Sequence, residues 1–267
     1  MRVLSVIAIV LAMSGVGAYA GDFEDGLRFY QAKEYAKARE SWEKAAAQGS
    51  APAQFTLGFM YEKGEGVTRD NRQAFAWYQK AADQGFAAAQ INLGSMYEKG
   101  QGVAPDIKQA VSLYRKAADQ GLPEAQFNMG RMYQTGQGIT QDYKQAASWF
   151  QKAGEQGHTY AQSALGLMYE TGQGVAQNYK QAVIWYGKAA EAGDSIAQFD
   201  LGRIYEAGQE GIAPDYVEAH KWWNIAASNG EERARRNRNA VERLMTPEQI
   251  AEAKKRAEAW LKAHAKP

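Results

Sequence analysis

Residues 165–190 read LGLMYETGQGVAQNYKQAVIWYGKAA. Gly166 interrupts an apolar run that otherwise has the 3.6-residue spacing of a helix. Gly172-Gln173-Gly174 then has the look of a phosphate-cradling loop. Both features recur. Glycine stands at 58, 94, 130, 166 and 202, each 36 residues from the last. Each follows Leu57, Leu93, Met129, Leu165 or Leu201 and precedes Tyr61, Tyr97, Tyr133, Tyr169 or Tyr205 by three residues. A second register opens at Ala74, Ala110, Ala146, Ala182 and Ala219. It runs through Trp77-Tyr78, Leu113-Tyr114, Trp149-Phe150, Trp185-Tyr186 and Trp222-Trp223, and closes on the pairs Ala81-Ala82, Ala117-Ala118, Ala153-Gly154, Ala189-Ala190 and Ala226-Ala227. Copies at a fixed period of this size predict an all-α solenoid of helix-loop-helix repeats.

In the first copy the spacing predicts helices near 53–63 and 71–84, with equivalents downstream. A mid-helix glycine costs about 1 kcal/mol relative to alanine. Its recurrence predicts a packing return: the second helix lies tight against the first, with the paired alanines as the matching small surface. Gly-x-Gly recurs at 64–66, 100–102, 136–138 and 172–174, with one extra residue at 208–211. A dinucleotide fingerprint needs a preceding strand and a third glycine. Here a helix precedes and the third glycine is missing, so the motif is read as a helix C-cap and turn. Asp70, Asp106, Asp142, Asn178 and Asp215, each three residues before Gln or Glu, predict reciprocal capping boxes for the second helices. Gly49, Gly85, Gly121, Gly157, Gly193 and Gly230 are placed to stop those helices.

The ends differ. Residues 22–49 resemble a shortened repeat (Gly26, Phe29, Tyr35, Ala38, Trp42, Ala45-Ala46) and are assigned as an N-terminal cap, with five full repeats over 51–230. Residues 231–267 are assigned as a charged C-terminal helical cap. There Arg233, Arg235, Arg236, Arg238 and Arg243 are expected on one helix, and Thr246, Pro247 and Gln249 begin another. At the N-terminus, Arg2, the apolar run 3–13 and Ala18-Tyr19-Ala20 predict a signal peptide over 1–20, cleaved after Ala20. The run is short for a membrane span, so no membrane insertion is expected after cleavage, and the absence of cysteine excludes a lipoprotein-type anchor.

Thirty-one basic and 30 acidic residues nearly cancel, which gives no electrostatic case for nucleic acid. With no cysteine, thiol catalysis and thiolate metal sites are excluded. His158, His220 and His264 lack ligand spacing, so no metal and no cofactor are expected. Glu62, Glu98, Glu170 and Glu206 recur once per repeat and are read as a solvated ridge. The tyrosine and tryptophan stripes are read as core.

The pattern A-x-x-x-L-G-x-x-Y-x-x-G-x-G-V followed by D-x-x-x-A-x-x-W-Y-x-K-A-A-x-x-G resembles the Sel-one-like repeat, a relative of the tetratricopeptide repeat. In one copy it is carried by Ala161, Leu165, Gly166, Tyr169, Gly172, Gly174, Val175, Ala182, Trp185, Tyr186, Lys188, Ala189, Ala190 and Gly193. The resemblance implies a right-handed α/α superhelix that binds other proteins as an adaptor or regulator. It also implies, for an exported bacterial member, work in envelope signalling, exopolysaccharide export or host contact. A cysteine-rich branch has been credited with β-lactam binding or hydrolysis, and this chain departs from it. Ser41-Trp42-Glu43-Lys44 has S-x-x-K spacing, but the companion motifs S-D-N and K-T-G are missing. No catalytic residues are assigned.

By analogy with the tetratricopeptide groove, the first helices are expected to line the concave side. The slots two before the Leu-Gly pair and one after it vary between repeats. They hold Phe55 and Phe59, Ile91 and Ser95, Phe127 and Arg131, Ser163 and Leu167, Phe199 and Arg203. Members of each pair are four residues apart and share a helical face. These ten are the candidate partner-binding residues. Phe55, Phe127 and Phe199 have the alternative of packing between repeats. The partner is expected to be another protein or peptide bound by a monomeric, periplasmic or secreted scaffold. An envelope glycan or peptidoglycan is the alternative.

Overall fold

Eleven successive helices of this protein have the same length, 13 residues, and that uniformity fixes the period. The computed structural model describes residues 20–265. The leader expected at the N-terminus lies outside the described residues but for Ala20. Among the described residues there are fourteen α-helices and no strand, a solenoid of about 36-residue helical repeats.

The chain divides into two units. The first takes residues 1–125 with 137–139, and the second takes 126–136 with 140–267. The first contains α1 (Ala20–Gln31), α2 (Tyr35–Ala47), α3 (Ala51–Lys63), α4 (Asn71–Asp83), α5 (Ala87–Lys99) and α6 (Ile107–Asp119). Helix α7 (Pro123–Thr135) passes into the second unit. There follow α8 (Tyr143–Glu155), α9 (Thr159–Thr171), α10 (Tyr179–Glu191), α11 (Ser195–Ala207), α12 (Tyr216–Ser228), α13 (Glu232–Val241), a 3₁₀ turn at Glu242–Leu244, and α14 (Pro247–Ala263). Within each unit consecutive helices pack as antiparallel hairpins. The first unit's core includes Trp42, Leu57, Met60, Tyr78 and Leu93. The second unit's core includes Phe150, Leu165, Met168, Tyr186 and Leu201, and then Trp223 and Val241 under α13. Full burial of such a side chain is worth about 1.5–3 kcal/mol, and this, more than helix propensity, holds 13-residue helices together.

The recurrent mid-helix glycine does pack closely, against a different surface from the one expected. A Cβ at Gly58, Gly94, Gly130, Gly166 or Gly202 would stand 2.5 to 2.8 Å from the ring of Tyr78, Tyr114, Phe150, Tyr186 or Trp223. Gly26 faces Trp42 in the same way. The partner is therefore the aromatic ring of the second helix, packed against the first helix's backbone. The alanine pairs, all buried but for Ala227, are not the surface that the glycine meets.

The loops punctuate helices as expected. Gly64, Gly100 and Gly172 are left-handed C-caps. Gly208 is not (φ 62°, ψ 151°), because the extra residue turns the loop through a bridge between Gln209 and Ile212. Gly174 has a second duty: a Cβ there would clash with the backbone carbonyl of Tyr143 at the start of α8. The capping boxes are only half formed. Asp106, Asp142, Asn178 and Asp215 accept from the N–H three residues on at 3.0 Å. Their own N–H groups donate to the carbonyls of Tyr97, Tyr133, Tyr169 and Tyr205 at 2.7 to 3.0 Å. Those carbonyls would otherwise be orphaned in the last turn of the first helix, so one bond closes both helix ends. The full reciprocal box forms instead at Thr246 and Gln249, where the sequence predicts a helix start.

In the C-terminal cap, Arg233, Arg235, Arg236 and Arg238 lie on α13, but Arg243 falls in the 3₁₀ turn, a correction to the single arginine helix. His220 of α12 is buried, with Nε2 2.8 Å from Glu242, which also meets Lys254 at 3.3 Å. Burial pushes its pKa down. The cluster ties α12 to the turn and to α14.

Candidate functional site

The ten candidate residues fall into three classes. Phe55, Ile91 and Phe199 are buried, at 4%, 6% and 8% exposure, and offer no surface. Phe55 packs on Tyr78 and Phe86, with ring centroids 5.5 and 5.4 Å apart. At 55, 91 and 199 the slot two before Leu-Gly points between helices rather than outward. Phe59, Ser95, Phe127, Arg131, Ser163 and Arg203 are half-buried, and Leu167 is exposed.

The structure brings part of this set together on α9 and α11 of the second unit. Along α9 run Tyr160, Ser163, Leu167 and Glu170, at helical spacings of three and four that place them on one face. Along α11 run Ile196, Phe199, Asp200 and Arg203. Tyr160, Leu167 and Ile196 are 66%, 45% and 54% exposed on two successive first helices. Tyr160 extends an aromatic stack in which His158 lies 4.6 Å from Phe127 at 22°. His158 is fixed by accepting the N–H of Ala161 at 3.2 Å.

Arg203 is not a free anchor. It forms an ion pair with Glu170, and its Nε lies 3.4 Å from Asp200. Glu170 also accepts the Tyr186 hydroxyl at 3.0 Å. Two half-buried carboxylates thus share one guanidinium. Burial pushes Asp200 up to about 6, with Arg203 pulling the other way and Glu170 adding repulsion. Arg233, the nearest further cation, lies over the Phe199 ring at 4.4 Å and is held by Glu231 at 2.8 and 3.1 Å.

Three of the four glutamates read as a solvated ridge are instead helix ties. Glu62, Glu98 and Glu170 accept hydroxyls of Tyr78, Tyr114 and Tyr186 at 2.8, 2.8 and 3.0 Å. Where the second-helix ring is Phe150, the matching first-helix residue is Gln134. The tryptophans are core on one side and carry lysine on the other. Lys80, Lys152 and Lys188 lie 3.9 to 4.2 Å from the rings of Trp77, Trp149 and Trp185.

A buried amide ladder escaped the sequence reading. Gln54, Gln90 and Gln126 accept from Gln84, Gln120 and Gln156 at 2.7 to 3.0 Å, and Gln198 accepts from Asn229 at 2.9 Å. Gln162 has Ala192 in the donor's slot, and its buried carbonyl oxygen has no partner among the described residues. The signal was present as glutamine at a 36-residue period. Asp200 was also missed: Thr56, Asn92, Asn128 and Ala164 fill its slot elsewhere, so it is the single acid there.

A polar depression of about 520 Å³ in the first unit is lined by Gln79, Asp83, Gln90, Tyr97, Gln109 and Lys116. Among the described residues, no helix is long and apolar enough to cross a membrane. Ser41 is buried while Lys44 is exposed, so the S-x-x-K spacing does not present both groups to one site.

The Sel1 repeat model matches residues 11–50, 51–86, 87–122, 123–158, 159–194 and 195–231. A Sel1 repeat protein from Oxalobacter formigenes is similar at 37% identity and TM-score 0.75, over 91% of this chain and 100% of that one. A protective antigen present in uropathogenic Escherichia coli strains, with an SLR fold, is similar at 30% identity and TM-score 0.69. That likeness covers 91% of this chain but 60% of the antigen. An immunity protein from Pseudomonas aeruginosa, at 20% identity and TM-score 0.51 over 83% and 85% of the chains, shares the fold. No curated protein matches. Sel1 repeat proteins generally act as protein-interaction scaffolds. With the repeat model covering residues 11–231 and the Oxalobacter protein aligned over its whole length, the chain belongs to the Sel1 repeat family.

Proposed function

We propose that this protein is a non-catalytic interaction scaffold of the bacterial cell envelope, working as a monomeric, exported adaptor or regulator. Its partner is another protein, held along the faces of successive first helices. Tyr160, Leu167 and Ile196 carry this reading: they are large, apolar and exposed at positions outside the repeat signature. Positions that repeat hold the stack together. A position that varies and stays exposed is free to recognise. Export rests on the N-terminal pattern of Arg2, an apolar run and Ala18-Tyr19-Ala20.

The test is in-cell photo-crosslinking from a photoreactive amino acid placed at position 167, at 196, or at the exposed second-helix position 151 as control. The expected result is a discrete, protease-sensitive adduct from 167 and 196 and none from 151. Adducts that resist protease and yield to glycan hydrolases would replace a protein partner with an envelope glycan. An empty result at 167 and 196 would contradict the reading.

A further inference from the structure

The α9 and α11 face carries an apolar surface and an unbalanced charge side by side. Leu167 and Glu170 are one turn apart on α9, and Ile196, Asp200 and Arg203 follow one another at one-turn spacings on α11. Glu170 is 12% exposed and is satisfied by Arg203 and Tyr186. Among the described residues Asp200, at 20% exposure, has the single long contact of 3.4 Å to Arg203 Nε. Glu170 and Asp200 together carry two negative charges against the one positive charge of Arg203. Arg233 adds little, since Glu231 holds it in a two-bond fork. Among the described residues, the two carboxylates are one cation short of balance beside three exposed apolar side chains.

We propose that this face docks a peptide segment of the partner in which a lysine or arginine is flanked by large apolar residues. The cation lies against Asp200, and the apolar residues cover Tyr160, Leu167 and Ile196. The assignment rests on the interaction reading above and adds the chemistry of the partner. Charge complementarity selects it over an acidic segment, which would meet two carboxylates, and over a purely apolar one, which would leave Asp200 covered and uncompensated. Burial raises the pKa of Asp200, and Arg203, shared with Glu170, offsets only part of that rise. The charged and titratable groups facing it are Glu170 on α9, Tyr186 on α10, Arg203 on α11 and Arg233 on α13.

Random twelve-residue peptides displayed on phage, selected on immobilised full-length protein, test the assignment. Enriched peptides are expected to share a lysine or arginine within four residues of Leu, Ile, Phe or Trp. A synthetic copy, followed by fluorescence anisotropy, should bind at least tenfold more weakly when its basic residue becomes glutamate. The same loss is expected with Leu167→Asp and with Asp200→Asn, and binding should weaken as pH falls from 7.5 to 5. Circular dichroism of both variants confirms that they are folded. Acidic or uncharged consensus peptides would overturn the proposal, as would a binder indifferent to both variants. A binder that ignores the face leaves the scaffold reading intact and removes this assignment. No enriched peptide contradicts the assignment, and together with empty crosslinks at 167 and 196 it removes both.

Discussion

The Phe150 ring lies on the backbone of Gly130 so closely that a Cβ there would stand 2.5 Å from its Cδ1. Real side chains do not approach so near, and the ring is fully buried. Gly130→Ala is therefore expected to destabilise the protein by about 1–3 kcal/mol, despite alanine's better helix propensity. Gly130→Leu should cost more. Gly187 sits in α10 with nothing within 4 Å of its would-be Cβ. Gly187→Ala should raise stability by about 0.5–1 kcal/mol. Thermal melts of the pair check the account, and equal effects of like sign would refute it.

Gln162 and Ala192 mark a gap in the amide ladder. Ala192→Gln should donate to the orphaned Gln162 oxygen, as Gln84 does to Gln54 at 2.7 Å. One buried hydrogen bond contributes about 1 kcal/mol. In a chain of this size that corresponds to a melting temperature about 2–4 °C higher. No gain would show that the oxygen is already satisfied.

Asp200 should make stability fall with rising pH. Its folded pKa of about 6 exceeds the ordinary 3.8, so the folded state holds the proton more tightly than the unfolded chain. The contribution is fully present below pH about 4 and is lost as pH rises through 6. Asp200→Asn should then stabilise the protein by about 1–3 kcal/mol at pH 7, with the gain vanishing near pH 4. Urea denaturation at both pH values measures it. A gain independent of pH would contradict the titration.

Arg203 illustrates what sequence and structure each supply. Read as a variable residue outside the repeat signature, it is expected to be removable at little cost. In the fold it holds Glu170 and Asp200. Arg203→Ala should therefore destabilise the protein by about 1–3 kcal/mol at pH 7, because it strands two half-buried carboxylates. Part of the loss should be recovered in the background Asp200→Asn. A change under 0.5 kcal/mol would restore the sequence-level view.

The repeat, its two helices, the loop glycines and the helix caps were legible because each is a local pattern copied at one period. Residue-type logic stopped at relationships across helices. The repeat glycine announced close approach, but not that Tyr186 rather than an alanine pair lies on Gly166. The slot of Phe55, Ile91 and Phe199 varies like a recognition position, yet the helix rotation turns it inward. Leu167 and Arg203 share a register slot, and their environments differ because the preceding first helix offers Glu170 to Arg203 and Gln134 in the matching position to Leu167. Nothing in the linear spacing of α9 and α11 announces a 33-residue ion pair.

The central claim is that the exposed face of α9 and α11 captures a protein partner. It is tested most directly with Leu167→Asp, since Leu167 is 45% exposed and its loss should leave the fold unchanged. The measurement is the dissociation constant of purified wild type and variant for the protein trapped by crosslinking from position 167, with melting curves alongside. Removing an interface anchor of this kind costs about 2 kcal/mol or more, so at least a thirtyfold loss of affinity with an unchanged melting temperature is predicted. Wild-type affinity in a normally folded variant would contradict the account.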